Sequence, residues 1–256
     1  MIRTAWVLFA GLVTTAYCAS VVTFSARFRK ARLPCVCEGM PRAWARAVLR
    51  LAGVKVRLLG DERMDWDRPL VVVANHQSWF DVFALAAYLP TKARFVAKQE
   101  LGRIPIFGKA WKACGHISVD RSDRKQAVES LQHAGRRVRD EKLVMILFPE
   151  GTRSPDGRLQ PFKKGAFVLA IETGVPLVPL GITGSREVMA KGSFRIHPGE
   201  ITIRVGEPIG VEGLGHENRD ELLKRSRAAV AALIGQSLGA GNGSSPAVDD
   251  FEETTL

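Results

Sequence analysis

The sequence has little cysteine, no internal repeat, no G-x-S-x-G segment and no basic residue after Arg227. Each shortage excludes something. The cysteines, at 18, 35, 37 and 114, give no disulfide framework, and Cys35-x-Cys37 is not a zinc spacing. The expectation is free thiols, no metal site and a reducing compartment. Without G-x-S-x-G there is no elbow serine, and neither Ser185 nor Ser193 has that context. A chain of 256 residues without repeats suits one domain of ordinary size. All 37 Lys and Arg lie within residues 1–227 beside 22 of the 26 acids, a surplus of 15 positive charges. Such a body expects an anionic partner: nucleic acid, an anionic membrane or a phosphorylated substrate.

The N-terminus narrows that choice. Residues 4–26, "TAWVLFAGLVTTAYCASVVTFSA", carry no charge and are long enough to cross a hydrocarbon core. A helix lying in one leaflet fits the same segment. A cleaved signal peptide fits worse, because the stretch is long and the local charge follows it. That charge is "RFRKAR", residues 27–32. By the positive-inside rule it places the rest of the chain on the cytoplasmic side, and it attracts anionic head groups. A membrane partner is therefore expected, and nucleic acid is not.

Residues 42–52 read as an amphipathic helix able to touch the membrane surface. From residue 54 onward strand-like runs ("VKVRLL", "PLVVVA", "RFVA", "HISV", "KLVMILF", "VPLVPLGI", "ITIRVG") alternate with helix-like ones. This predicts an α/β domain with a mostly parallel sheet flanked by helices. "LVMILF" lacks polar alternation, as in a strand buried on both faces. The expected division is a membrane segment and basic linker over 1–40, the α/β domain over 41–235 and a disordered acidic tail over 236–256.

In such sheets ligands collect beyond the carboxyl ends of the strands. "NHQSWFD" (75–81) follows "PLVVVA", "FPEGTRSPDG" follows "KLVMIL", and "SVDR" closes another strand. In the first, Ser78-x-x-Asp81 fits a capping box, so Asp81 has an ordinary structural use. His76 is equally a candidate general base, with Asp81 holding its ring. No nucleophile accompanies the pair, so a substrate hydroxyl is the expected attacker. In the second, Gly151 permits a tight turn, Arg153 suits phosphate, and Glu150 suits a hydroxyl or a basic partner. Arg121 and Lys163 are weaker candidates. His116, His133, His197 and His216 have no carboxylate at useful spacing and are assigned no catalytic role.

These segments resemble the blocks of the glycerolipid acyltransferases, specifically the 1-acyl-glycerol-3-phosphate acyltransferases. "NHQSWFD" matches an H-x-x-x-x-D block, and "KQELGRIPIFGKAWKACGHISVDR" looks like the second block. "FPEGTRS" matches the third, and "VPLVPLGI" looks like the fourth, in the family's order. The resemblance implies acyl transfer from an acyl-CoA or acyl carrier protein to the sn-2 hydroxyl of lysophosphatidic acid, giving phosphatidic acid. It implies no metal or other cofactor. His76 and Asp81 would be catalytic; Arg121, Glu150, Gly151, Thr152, Arg153 and Lys163 would bind substrate. Other acceptors stay open at this point: glycerol-3-phosphate, another lysophospholipid or a lyso-ornithine lipid. So do a hydrolase and a non-enzymatic protein that binds anionic membranes.

Overall fold

The structure is a computed structural model in which residues 2–90, 92–120, 130 and 134–238 are described. It opens with a helical hairpin, α1 (Ile2–Phe28) and α2 (Leu33–Ala52). The boundary expected at 40/41 falls inside α2, which begins at the basic turn Lys30–Arg32. Arg3 at the start of α1 donates to the Ala52 carbonyl at the end of α2, 2.8 Å away. Gly53, at φ +65°, closes α2 in the left-handed conformation that favours glycine. Trp44 Nε1 donates to Thr15 Oγ1 at mid-hairpin.

The strands are β1 (Val54–Leu59), β2 (Leu70–Ala74), β3 (Ala93–Lys98), β4 (Ile117–Val119), β5 (Val144–Leu147), β6 (Leu177–Thr183) and β7 (Gly199–Val205). Among the described residues they form one sheet in the order β1-β7-β6-β2-β5-β3-β4. Only the β6–β7 pairing is antiparallel. The helices after the hairpin are α3 (Trp79–Tyr88), α4 (Phe107–Ala113), α5 (134–140), α6 (Gly165–Thr173), α7 (Ser185–Val188) and α8 (Arg219–Leu233).

Central strands bury both faces. Val72 and Ala74 of β2, with Ile146 of β5, pack under α2 and α3 against Leu49, Phe80 and Leu85. Val71, Val73, Met145 and Leu147 face the other way, onto Phe167 and Leu169 of α6 and Val230 of α8. Such strands carry no polar alternation because neither face meets water.

The cysteines depart from expectation. Cys37 of α2 and Cys114 just after α4 form a disulfide, with Cα atoms 5.1 Å apart, while Cys18 and Cys35 are free. The two partners are 77 positions apart and meet only because α1, α2 and α4 share a small apolar cluster with Ala19, Val22 and Ala110. Of the expected acidic tail, residues 239–256 lie outside the described residues.

Candidate active site

β2 and β5 are neighbours in parallel, Val73 opposite Leu147, so their carboxyl ends and the loops beyond them emerge together. Asn75 prolongs the β2–β6 pairing with its side chain. Its amide nitrogen donates to the Ile182 carbonyl at 2.8 Å, and its oxygen accepts the Ile182 N–H at 2.7 Å. The next residue, His76, is therefore launched from a fixed point.

Capping and orientation then converge on one atom. Ser78 is the N-cap of α3, its Oγ accepting the Phe80 N–H at 3.2 Å. Asp81 reaches back from the first turn, and its Oδ2 accepts the N–H groups of Gln77 at 2.7 Å and Ser78 at 2.8 Å. The same oxygen lies 2.8 Å from His76 Nδ1. An ionised carboxylate only accepts, so Nδ1 carries the proton and Nε2 carries the lone pair. Asp81 is fully buried, and its Oδ1 has no hydrogen-bond partner among the described residues. Nothing in that set bonds Nε2 of His76 either.

The loop after β5 grips His76 from the other side. Phe148 stacks on the imidazole, ring centres 4.1 Å apart and planes 19° from parallel. The Ser154 N–H donates to the His76 carbonyl at 2.7 Å. Glu150 is only 5% exposed, and backbone donors take both its oxygens. Oε1 accepts the His76 N–H at 2.6 Å, and Oε2 accepts the Gln160 N–H at 3.0 Å. Burial pushes the Glu150 carboxyl up to about 7; the two N–H donors and Arg227 pull it down, and the nearby Asp81 charge raises it further. The sequence offered this carboxylate a hydroxyl or a basic partner; among the described residues its two oxygens accept backbone N–H groups.

The other predicted residues border the same turn. Gly151 has φ +73°, and its N–H closes the turn onto the Phe148 carbonyl at 3.0 Å. A Cβ on Gly151 would sit 2.9 Å from Cε of Lys163, so the lysine stem lies across the glycine. Arg153 lies over the half-exposed Trp79 ring, 5.0 Å from its centre. Burial draws the Arg153 pKa down, and the Asp81 charge counters this. Thr152 is exposed, with its Oγ1 accepting from Lys191 at 3.3 Å. Arg121 lies outside the described residues; β4, which precedes it, sits at the far edge of the sheet.

Sequence reasoning missed Phe148, Trp79 and Lys191. An aromatic residue directly between the apolar run "VMIL" and "PEG" was the available signal for Phe148. Of the remaining histidines, His116 is a structural residue. Its Nδ1 accepts the Phe95 N–H at 3.1 Å, and burial, with Arg94 and Arg137 nearby, holds its pKa down to about 3.

Fold and site together define the class. A family model described as Acyltransferase matches residues 55–183, and the chain belongs to that family. Relatives within it include the 1-acyl-sn-glycerol-3-phosphate acyltransferase of Limnanthes alba, 35% identical over 177 residues, which are 69% of this chain and 62% of that protein. The alpha form from Homo sapiens is 31% identical over 193 residues, 75% of this chain and 68% of that protein. The crystal structure of the 1-acyl-sn-glycerophosphate (LPA) acyltransferase PlsC from Thermotoga maritima superimposes with a TM-score of 0.77 at 27% identity, covering 90% of this chain and 92% of that one. The match to the Limnanthes alba protein spans about three-fifths of that protein's length.

Proposed function

We propose that this chain transfers a fatty acyl group from an acyl thioester, acyl-CoA or acyl carrier protein, to the sn-2 hydroxyl of lysophosphatidic acid. The products are phosphatidic acid and a free thiol. The observation that carries this reading is the His76–Asp81 pair, its carboxylate buried and its imidazole partly so, with no nucleophile beside it among the described residues. The serines of the two loops are committed: Ser78 Oγ to Phe80 and the Met189 carbonyl, Ser154 Oγ to Asp156 and the Arg158 carbonyl. A base with no nucleophile of its own serves a substrate hydroxyl. The names of the relatives supply the acceptor.

In this scheme His76 Nε2 takes the hydroxyl proton as the oxygen attacks the thioester carbonyl carbon. The tetrahedral intermediate collapses, the C–S bond breaks, and the departing sulfur receives the proton from Nε2. Asp81 stays ionised throughout, fixing the tautomer and stabilising the imidazolium. Arg153, Lys163 and Arg121 are the cations proposed to hold the acceptor phosphate. Glu150, with both oxygens on backbone N–H groups, positions His76 rather than touching substrate. The scheme requires no metal and no cofactor beyond the donor.

The membrane arrangement follows from the hairpin. One helix among the described residues, Arg3–Phe28, is long and apolar enough to cross a bilayer. It is about 40 Å long and is tied to the domain at both ends. Thr4 Oγ1 accepts the Ile196 N–H near its start, and Ala19 and Val22 pack with Cys37 and Ala110 near its end. A crossing helix would drag the catalytic domain into the hydrocarbon with it. We therefore place α1 in one leaflet, with Trp6, Phe9, Leu12, Val13 and Tyr17 facing lipid and the domain on the cytoplasmic side.

The test is a transfer assay with purified full-length chain, labelled acyl-CoA and lysophosphatidic acid. Labelled phosphatidic acid is expected. Free fatty acid alone would make the protein a hydrolase, and faster turnover of a different lysolipid would reassign the acceptor.

A further inference from the structure

We propose that Lys191, beyond the region matched by the family model, is a further ligand for the acceptor phosphate and makes the site prefer a phosphate monoester over a diester. The inference rests on the acyltransferase reading above and narrows its substrate class.

Lys191 Nζ donates to Thr152 Oγ1 at 3.3 Å, across 39 positions of sequence. Its segment is held beside the catalytic loop by the residue that caps α3. Ser78 Oγ accepts the Phe80 N–H and donates its proton to the Met189 carbonyl at 2.7 Å. The His197 N–H donates back to the Val188 carbonyl at 2.9 Å, closing the excursion that carries Lys191. The hydroxyl that starts the His76 helix therefore also fixes the distance between that helix and Lys191.

Three cations from separate segments then border one turn, Gly151 to Arg153: Arg153 itself over Trp79, Lys163 across Gly151, and Lys191 on Thr152. None of the three has a carboxylate partner within 4 Å among the described residues. Lys164, the direct neighbour of Lys163, points elsewhere and pairs with Asp220 at 3.1 Å. Three like charges with no carboxylate inside 4 Å, gathered beside a catalytic base, form a site for an anion. A phosphate monoester carries about −1.5 to −2 at neutral pH and three terminal oxygens. A diester carries a single charge and two such oxygens, which fewer cations satisfy. The added cation, Lys191, is the feature that separates the two.

The experiment compares wild type, Lys191→Ala and Lys191→Arg as full-length chain in mixed micelles. Lysophosphatidic acid is the monoester acceptor. Lysophosphatidylglycerol is the diester, read as substrate or, where it is not turned over, as competitive inhibitor. Lys191→Ala should raise KM for lysophosphatidic acid about tenfold or more, as loss of a charge-assisted phosphate contact does. Its kcat, the donor KM and the diester's KM or Ki should each move less than about threefold, and Lys191→Arg should recover most of the loss. An unchanged lysophosphatidic acid KM overturns the proposal. So does an equal rise for both acceptors, which would mean a general field, or a rise confined to the donor, which would place Lys191 at the CoA phosphates. A wild-type chain that does not acylate lysophosphatidic acid at all overturns the acceptor reading beneath it, an outcome separable from the others because no variant is needed to see it.

Discussion

The His76 N–H donates to Glu150 Oε1 across 2.6 Å, joining residues 74 positions apart. The carboxylate thereby fixes the backbone that carries the base, while its second oxygen holds Gln160. A glutamine cannot reproduce both bonds, because its amide nitrogen would face one N–H donor. Glu150→Gln should therefore lower stability by about 1–3 kcal/mol, the usual cost of an unsatisfied buried group. It should also cut kcat while leaving the acceptor KM nearly unchanged; a rise in KM alone would return Glu150 to the substrate.

The same residue predicts a pH effect of definite sign. Its folded-state pKa, about 7, lies above the ordinary carboxylate value of 4.5. Between those limits the folded protein holds the proton more tightly than the unfolded chain does. Stability from this group is therefore greatest at the acid side and declines as pH rises from about 4.5 to about 7. Denaturant titrations across that window should show the decline in wild type and lose it in Glu150→Gln.

His76→Ala should lower turnover by about 10²–10⁴-fold, the usual worth of a general base, with the fold retained. Asp81→Asn is the sharper test. Its amide oxygen can keep the three contacts made by Oδ2, while its NH₂ enters the buried position where Oδ1 now has no partner. Activity should fall at least a hundredfold with a helical circular dichroism signal close to wild type. Full activity would leave Asp81 as a cap and nothing more.

Arg153→Lys should behave almost as badly as Arg153→Ala. A guanidinium over the Trp79 ring also presents a planar fork to phosphate, which an ammonium cannot. Acceptor KM should rise about tenfold or more in both, with the donor KM unaffected. A fully active lysine variant would place the arginine outside the phosphate site.

The hairpin calls for a gentler probe than removal. Deleting residues 1–32 would strip Val7, Ala19 and Val22 from buried clusters, so lost membrane binding could not be told from lost packing. Phe9→Asp with Leu12→Asp acts only on the outward face, where the two side chains are 62% and 68% exposed. Each apolar side chain inserted in lipid is worth about 1.5–3 kcal/mol. Flotation with anionic vesicles should drop sharply while thermal stability in detergent stays level; unchanged flotation would mean that this face does not meet the bilayer.

What the sequence made legible follows from range. Strands β2 and β5 announce themselves because both faces are buried and every residue is apolar, and Ser78-x-x-Asp81 is a local signal with a local cause. The double use of Asp81 was readable too, since His76 lies within one turn of the cap. Long-range pairings were not. Cys37 and Cys114 carry no spacing rule, and only the packing of α1, α2 and α4 brings them together. Glu150 stands beside a glycine and an arginine, which suggests a ligand site; that its oxygens are spent on His76 and Gln160 depends on two loops meeting, those after β2 and β5. Lys191 sits in a polar excursion between elements, with nothing local to distinguish it from a surface lysine.

The bond from the Ile196 N–H to Thr4 Oγ1 spans 192 positions, and it sets an order of events during synthesis. Domains emerge from the ribosome N-terminus first. The start of α1, around Thr4, thus waits for Ile196 until most of these residues have been made, although α2 pairs with the rest of the helix soon after it. With α1 in one leaflet, as proposed above, a lipid surface would shelter its outward face during that interval. The helix that later positions the finished protein would then also decide where its polymerisation ends, and the rest of the chain would close onto an anchor already in place.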